Sequence, residues 1–371
     1  MLALKNLLRR RARTLLSLLG VAIGIAAIIA FNAIGKGFRE GINTYLRDSG
    51  AQMVVVNRTM KDPAFSRVKK EEQDFILGLP EIEHLSRANL AIASPRGLKD
   101  AGRMTMLVVF GRTKGDRLLG KYTKKLKGRL FETDDEILLG AIAAEDLKKG
   151  VGDSLELFGR TFRIVGIFDT SVPWEKVGAV MSNDVLQNVL QQRDGSIYMG
   201  FLYLRPGSDP ARVKKAVDEK YPHLEAVKTE EFTAFYDQIE YIDWFVWIIS
   251  LVSVAVGGLG VLNTLLMSVS ERTREIGTLR AVGWSQGRVL RLILGEGVLI
   301  SFLGGLIGLG LGVAGAEVLI RFAPRGTLST AYAWVVFVQA FIVALGLGLV
   351  GSLYPAWRAS RLSPIEALKY E

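Results

Sequence analysis

The chain has 371 residues, no cysteine, 49% hydrophobic residues and a net charge of +10. The length exceeds one ordinary domain, and the missing cysteines exclude disulfides and thiol chemistry. The charge by itself would suggest nucleic acid, but it is not spread out. Residues 36–243 carry 32 Lys/Arg and 31 Asp/Glu, while thirteen basic and four acidic residues fall in the short pieces 1–14, 268–291 and 357–371. That distribution argues against a nucleic-acid partner and for charge placed at membrane boundaries.

Residues 1–14 read as a basic amphipathic stretch, with Leu2, Leu4, Leu7 and Leu8 between cations. Such a segment lies against lipid headgroups or simply sets topology. The runs Leu15–Gly35, Trp244–Ser270, Gly297–Ala316 and Gly326–Trp357 contain no charged residue. Each matches the roughly 20 residues that a helix needs to cross a bilayer. Span one carries Gly20 and Gly24, and span three carries Gly304, Gly308 and Gly312. This spacing lets helix backbones approach closely. Ala344, Gly348 and Ser352 repeat it in span four, and the use is either internal packing or a dimer seam.

After span one, Phe38, Ile42 and Tyr45 share a helical face and predict a stalk. The next region alternates strands and helices. Strands are expected at 52–56, 104–110, 136–139, 154–158, 161–168, 198–204 and 224–228. Helices are expected at 71–79, 141–148 and 210–221. Gly159-Arg160 marks a hairpin turn, and Gly111–Arg129 reads as a flexible excursion. Phe232, Phe235, Ile239 and Ile242 at helical spacing predict a second stalk, with Trp244 and Trp247 at an interface. The expected fold is an integral membrane protein. It has four transmembrane α-helices and a large mixed α+β extracytoplasmic domain between helices one and two, with room for two lobes.

The divisions are 1–14, amphipathic N-terminus; 15–46, span one and stalk; 47–229, α+β core domain; and 230–270, stalk and span two. Then follow 271–291, cytoplasmic segment; 292–320, span three; 321–333, outer loop; 334–356, span four; and 357–371, tail. The Lys/Arg bias places both termini and residues 268–291 in the cytoplasm and residues 36–243 outside.

Few motifs point to chemistry. Gly115 to Lys121 has the G-x-x-x-x-G-K spacing of a phosphate loop, but Tyr122 stands where a Ser or Thr should hold magnesium. His84 and His223 are isolated, so no metal site is expected. Asp134, Asp135 and Glu136 read as a solvated turn, and no catalytic residue is assigned. Glu317 has Arg321 one turn later as an expected partner. Glu296 is an intramembrane charge, within reach of a cation of the 268–291 loop for a structural pair and otherwise a proton carrier. In that loop Glu271, Arg272, Thr273, Arg274 and Glu275 precede an apolar stripe of Ile276, Leu279 and Val282, and Gly283 ends the helix. A short interfacial helix with charge outward is a docking surface for a soluble partner, or else a lipid-facing helix without one.

The loop S-x-x-E-R-T-R-E-I-G-x-x-R-A-x-G at Ser268–Gly283 resembles the cytoplasmic coupling segment of the macrolide-exporter (MacB) and FtsX-like family of ABC transporter permeases, type VII or mechanotransmission fold. The tail from Tyr354-Pro-Ala-Trp to Pro364-Ile-Glu-Ala-Leu368 and the start Arg13–Gly24 are similar to that family as well. So are Leu139–Ala144, Gly150–Asp153 and Val165-Gly166-Ile167, which resemble its periplasmic core. The resemblance implies a bacterial inner-membrane permease that binds no cofactor in this chain, with ATP and magnesium on a partner ABC ATPase. That partner would dock at Glu271, Arg272, Thr273, Arg274, Glu275, Ile276, Gly277 and Arg280. The resemblance also implies a second copy as dimer partner and admits a periplasmic or extracellular adaptor. Motion of the ATPase would move the outer domain and export or extract a substrate. The alternative is an FtsX-like signalling subunit that activates an extracytoplasmic enzyme without transport; a receptor without an ATPase is a third reading.

Overall fold

The structure is a computed structural model and describes residues 11–58, 66–94, 106–192, 194–232, 237–323, 325–326 and 328–363. Most of the basic stretch 1–14, the end of the tail, and Phe235 with the side chains of Ile239 and Ile242 lie outside the described residues. In chain order the elements begin with helix α1 (Arg11–Ser49), strand β1 (Met53–Asn57), α2 (Lys70–Leu77), β2 (Ile82–Ala93) and β3 (Leu107–Arg112). A 3-10 turn at Arg117–Leu119 leads into α3 (Gly120–Thr123), β4 (Leu126–Gly128), β5 (Glu136–Gly140) and α4 (Ala141–Leu147). Then come β6 (Ser154–Leu157), β7 (Arg160–Phe168), α5 (Pro173–Lys176), β8 (Gly178–Ser182) and α6 (Asn183–Val189). The domain ends with β9 (Met199–Leu204), α7 (Pro210–Lys220) and β10 (Leu224–Lys228), followed by α8 (Asp237–Glu271), α9 (Thr273–Ala281), α10 (Gln286–Phe322) and α11 (Trp334–Ser360).

Two compact units result: residues 1–36, 243–319 and 330–371, and residues 37–242 with 320–329. In the first, four helices are long and apolar enough to cross a membrane. Helix α1 has 39 residues and α10 has 37, well beyond the ~20 that a bilayer core requires. Helix α10 packs through two rows of small residues. On one face a Cβ at Gly304 would come within 2.9 Å of the Val21 Cβ, at Gly308 within 2.8 Å of the Ala22 carbonyl oxygen, and at Gly312 within 2.8 Å of the Ile29 Cβ. On the other, a Cβ at Gly297 would meet Ser352 at 2.5 Å and one at Gly305 would meet Ala344 at 3.0 Å. Contacts this short leave room for glycine alone, so α1 and α11 seat directly on the α10 backbone. The small residues of span four are therefore used inside the unit. Gly24 sits 3.0 Å from the Ser253 carbonyl, measured from its would-be Cβ, and Ser17 hydrogen-bonds Thr264 between α1 and α8. A Cβ placed at Gly20 would meet nothing within 4 Å, while the Gly20 carbonyl oxygen lies 3.7 Å from a Cβ placed at Gly257 of α8.

The second unit is built on one ten-stranded sheet in the order β10-β1-β9-β2-β3-β8-β5-β7-β4, with β6 on β7. The β3–β8 and β5–β7 pairs are parallel and the rest antiparallel. One continuous sheet replaces the two lobes that the sequence left room for. Helices α2 and α7 cover an apolar cluster at the β1–β9–β10 end, and α4 and α6 cover another at the β5–β7–β8 end. The strand joining the two halves, β2, gave no sequence signal because it carries buried polar residues. Ser86 donates to Asp116, Asn89 Nδ2 donates to Asn183 Oδ1 at 3.0 Å, and the Tyr198 amide donates to Asn89 Oδ1 at 2.9 Å. Burial of such groups is tolerated because each is bonded, but it erases the apolar alternation that marks a strand.

Three local expectations change. The β6–β7 turn is centred on Phe158-Gly159, one residue earlier than expected, with φ of 53° and 76°. Positive φ at both central residues matches the right-handed twist of a two-residue hairpin. Gly111–Arg129 is packed and not an excursion: Leu118, Leu119 and Tyr122 are buried. Glu136 is no solvated turn. It is buried, pairs with Arg129, and accepts from the Glu132 amide at 2.8 Å. The bond from Arg129 leads the causes that pull its carboxyl down to about 2.

Candidate functional site

The joint between α8 and α10 is built around one residue. Helix α8 ends at Glu271 and α9 starts at Thr273, because Arg272 between them leaves the helical region, with φ of −110°. Its guanidinium reaches in two directions. Nη1 donates to Glu296 Oε1 at 2.9 Å and Nε to Glu275 Oε2 at 3.0 Å. Glu296 is 2% exposed, nearly three turns into α10, which begins at Gln286. A carboxylate there must be paired, and Arg272 supplies the pair from the loop, tying the start of α9 to the flank of α10.

The far end of α9 is closed by Gly283, whose φ of 98° favours glycine. The Trp284 amide donates to the Leu279 carbonyl at 3.0 Å, and Arg280 Nη1 to the Trp284 carbonyl at 3.1 Å. These bonds satisfy carbonyls that the helix end would leave open. Underneath, Ile276 packs with Val269, Val289, Ile293, Ala356 and Ala359, with Trp284 against the edge. The short helix is thus fixed at both ends and along its inner face.

That geometry sorts the sequence-assigned residues. Ile276 and Gly277 are buried, so they hold the helix and cannot meet a partner. Arg272 and Arg280 are half-buried and bonded within the joint. Thr273 Oγ1 donates to the Ser270 carbonyl at 2.8 Å. The outward face consists of Glu271, Arg274, Glu275, Thr278 and Ala281, with Val282 beyond the helix end. Val282 departs from the expected apolar stripe: it is 78% exposed. It follows the last residue of α9, so the helical period that assigned it inward no longer applies. At the other end of α10, Glu317 accepts from the Tyr332 hydroxyl at 2.9 Å and the Thr330 hydroxyl at 3.2 Å. Those partners lie in a loop that no local spacing could name. Among the described residues no group of His, Asp and Glu is arranged to hold a metal ion.

Four membrane-length helices, an α+β extracytoplasmic domain between the first two, and a braced charged helix between the second and third define a polytopic membrane protein of the permease class. Family models match most of the chain: the MacB-like periplasmic core domain over residues 14–220, and the FtsX-like permease C-terminal over residues 247–364. The chain belongs to the MacB and FtsX-like family of ABC transporter permeases. It is 29% identical to a macrolide export ATP-binding/permease protein of Aeromonas hydrophila, over 100% of this chain and 60% of that protein. It is 25% identical to the ABC transporter permease YknZ of Bacillus subtilis, over 100% of this chain and 98% of that protein. The chain thus spans about three fifths of the length of the macrolide-export relative. The periplasmic region of MacB from Actinobacillus actinomycetemcomitans matches 52% of this chain and 95% of its own, with 12% identity and a TM-score of 0.40.

Proposed function

We propose that this permease carries ATP-driven motion from a separate ABC ATPase subunit to its extracytoplasmic domain, and so exports or extracts a substrate on the outer side of a bacterial cell membrane. The observation that carries this reading is the mounting of α9: a helix whose outward face is charged and exposed, whose start is bonded to α10 and whose far end is bonded to the turn at Trp284. A push on Arg274, Glu275 or Val282 has no slack to absorb it, because the Arg272–Glu296 pair and the Ile276 cluster pass it to α10 and α11. Helices α1 and α8 each run without a break from a span toward the domain, which suits them as levers. The Lys/Arg bias supports cytoplasmic termini and a cytoplasmic α9. The relatives named as an ABC transporter permease and as an ATP-binding/permease protein support an ABC ATPase as the source of the motion. ATP and magnesium would bind there, and a second copy of this chain would complete a dimer.

The test is co-purification with candidate ATPase subunits, followed by the ATP hydrolysis rate of the complex. The double change Arg274→Glu and Glu275→Arg should leave membrane insertion unchanged and lower coupled hydrolysis at least tenfold, and Arg274→Glu alone, which spares the Arg272–Glu275 bond, should lower it as well. Unchanged coupling in that variant overturns the assignment of the face. A permease that instead activates an outer enzyme would keep the coupling but bind a hydrolase through its domain.

A further inference from the structure

At the β4 end of the inserted domain's sheet lies an open groove of about 730 Å³ rimmed by lysines. Lys124, Lys125 and Lys127 enter it from the segment that becomes β4, and Lys148 and Lys149 from the end of α4. Leu126, Ala141, Ala144, Ile167 and Phe168 give it an apolar lining. Four of the lysines are exposed and Lys149 is half-buried. Lys148 closes α4 in the left-handed region, with φ of 52°, and the Lys149 amide donates to the Ala144 carbonyl at 3.0 Å. That bond fixes the turn that carries both lysines.

The carboxylates nearby are already engaged. Asp169 lies 3.7 Å from Lys125 and 3.2 Å from Lys176, and Arg325 lies 2.8 Å from Asp146 and 3.4 Å from Glu145. Among the described residues Lys124, Lys127, Lys148 and Lys149 make no ion pair. With Lys176 and Arg325 counted, seven cations stand against three carboxylates. Lysines on an edge strand discourage pairing with another strand, but that use does not require the two on α4 to line the same groove. Arg325 also shows where the groove lies. It follows the end of α10 by three residues, and residues 320–329 fold with this unit. Val318, Leu319 and Phe322 at that helix end are exposed apolar side chains, of the kind a bilayer covers. Gly326, with φ of 72°, packs where a Cβ would come within 2.5 Å of Val177. The chain thus leaves the bilayer and docks on α4 within a few residues. Lys149 is three residues from Asp146, at most about 11 Å along the chain.

We propose that the groove holds the phosphodiester headgroup of an anionic phospholipid from the outer leaflet of the membrane. Lysines close to a bilayer surface attract anionic headgroups, and each adds to the pull. Ammonium donors make charge-assisted bonds to phosphate oxygens. The apolar lining suits the start of the acyl chains, which a soluble anion lacks. A headgroup held there ties the β4 end of the sheet to the membrane surface. The site is independent of the coupling assigned to α9.

The experiment follows acetylation of individual lysines in the full chain by a water-soluble succinimidyl acetate, read by mass spectrometry. Nanodiscs of phosphatidylcholine alone are compared with nanodiscs that also contain phosphatidylglycerol. Lys215 on α7, whose side chain is 77% exposed, is the reference. Phosphatidylglycerol should slow acetylation of Lys124, Lys127, Lys148 and Lys149 by about threefold or more relative to Lys215. The double change Lys148→Gln and Lys149→Gln should remove most of that protection at Lys124 and Lys127. Soluble glycerophosphoglycerol, added to phosphatidylcholine nanodiscs, should protect none of them. Equal rates in the two nanodiscs overturn the proposal. So does equal protection by the soluble headgroup, or protection of Lys124 and Lys127 that survives the double change. The lipid comparison uses the unchanged protein, so it stands even if the double change fails to fold.

Discussion

The two units of this permease hold buried charge in different ways. In the membrane unit, Glu296 meets the guanidinium of Arg272, which also reaches the exposed Glu275 near the start of α9. In the inserted domain, Lys121 pairs with the fully buried Glu175 beside the buried Arg112, and half-buried Asp48 acts on Lys121 through space. The first arrangement ties a helix joint together, and the second lets two cations sit inside the packing of a sheet.

The largest effect should come from breaking the buried pair. Glu296→Ala takes the buried carboxylate from Arg272 and leaves it the exposed Glu275, and loss of one partner of a buried pair costs about 3–5 kcal/mol. Melting of the purified protein, followed by tryptophan fluorescence, should show a large drop. The double change Glu296→Leu with Arg272→Met should recover most of it, because apolar replacement of both partners is often neutral. A double variant as unstable as Glu296→Ala would break the comparison. Next comes the packing that surrounds the pair. Gly308→Ala places a methyl 2.8 Å from the Ala22 carbonyl oxygen, and overpacking of this kind costs about 2 kcal/mol. Gly20→Ala, with open space around it, should melt like the parent.

The cluster around Lys121 makes a smaller prediction, in pH. Folding lowers the Lys121 ammonium from 10.5 to about 8. Between those values the unfolded chain holds a proton that the folded domain releases, so stability rises with pH there. A gain of about 1 kcal/mol between pH 8.5 and 9.5 follows, and Lys121→Met should abolish it. A fall in place of a rise would show that Lys121 keeps its proton in the folded domain. The smallest effect concerns Glu136, lowered to about 2 from 4.5 by Arg129. Its stabilisation is complete above pH 4.5 and fades as the pH falls toward 2. Glu136→Gln should therefore be less acid-sensitive across that window in circular dichroism, though less stable at neutral pH.

Run length and charge placement by themselves determined the four spans, the inserted α+β domain and the charged helix between spans two and three. Those features are legible because a bilayer demands about 20 uncharged residues in a row and because helical and strand periods repeat locally. Tertiary structure alone decided the rest. Strand β2 hides its period behind Ser86 and Asn89, whose partners come from elsewhere in the chain. Glu296 finds Arg272 across 24 positions, and Lys121 finds Glu175 across 54. Gly304, Gly308 and Gly312 advertise close packing, yet only the fold says that α1 receives them. Sequence spacing reports which neighbours a residue has along its own element. Which charges pair depends on elements that meet only when the chain folds.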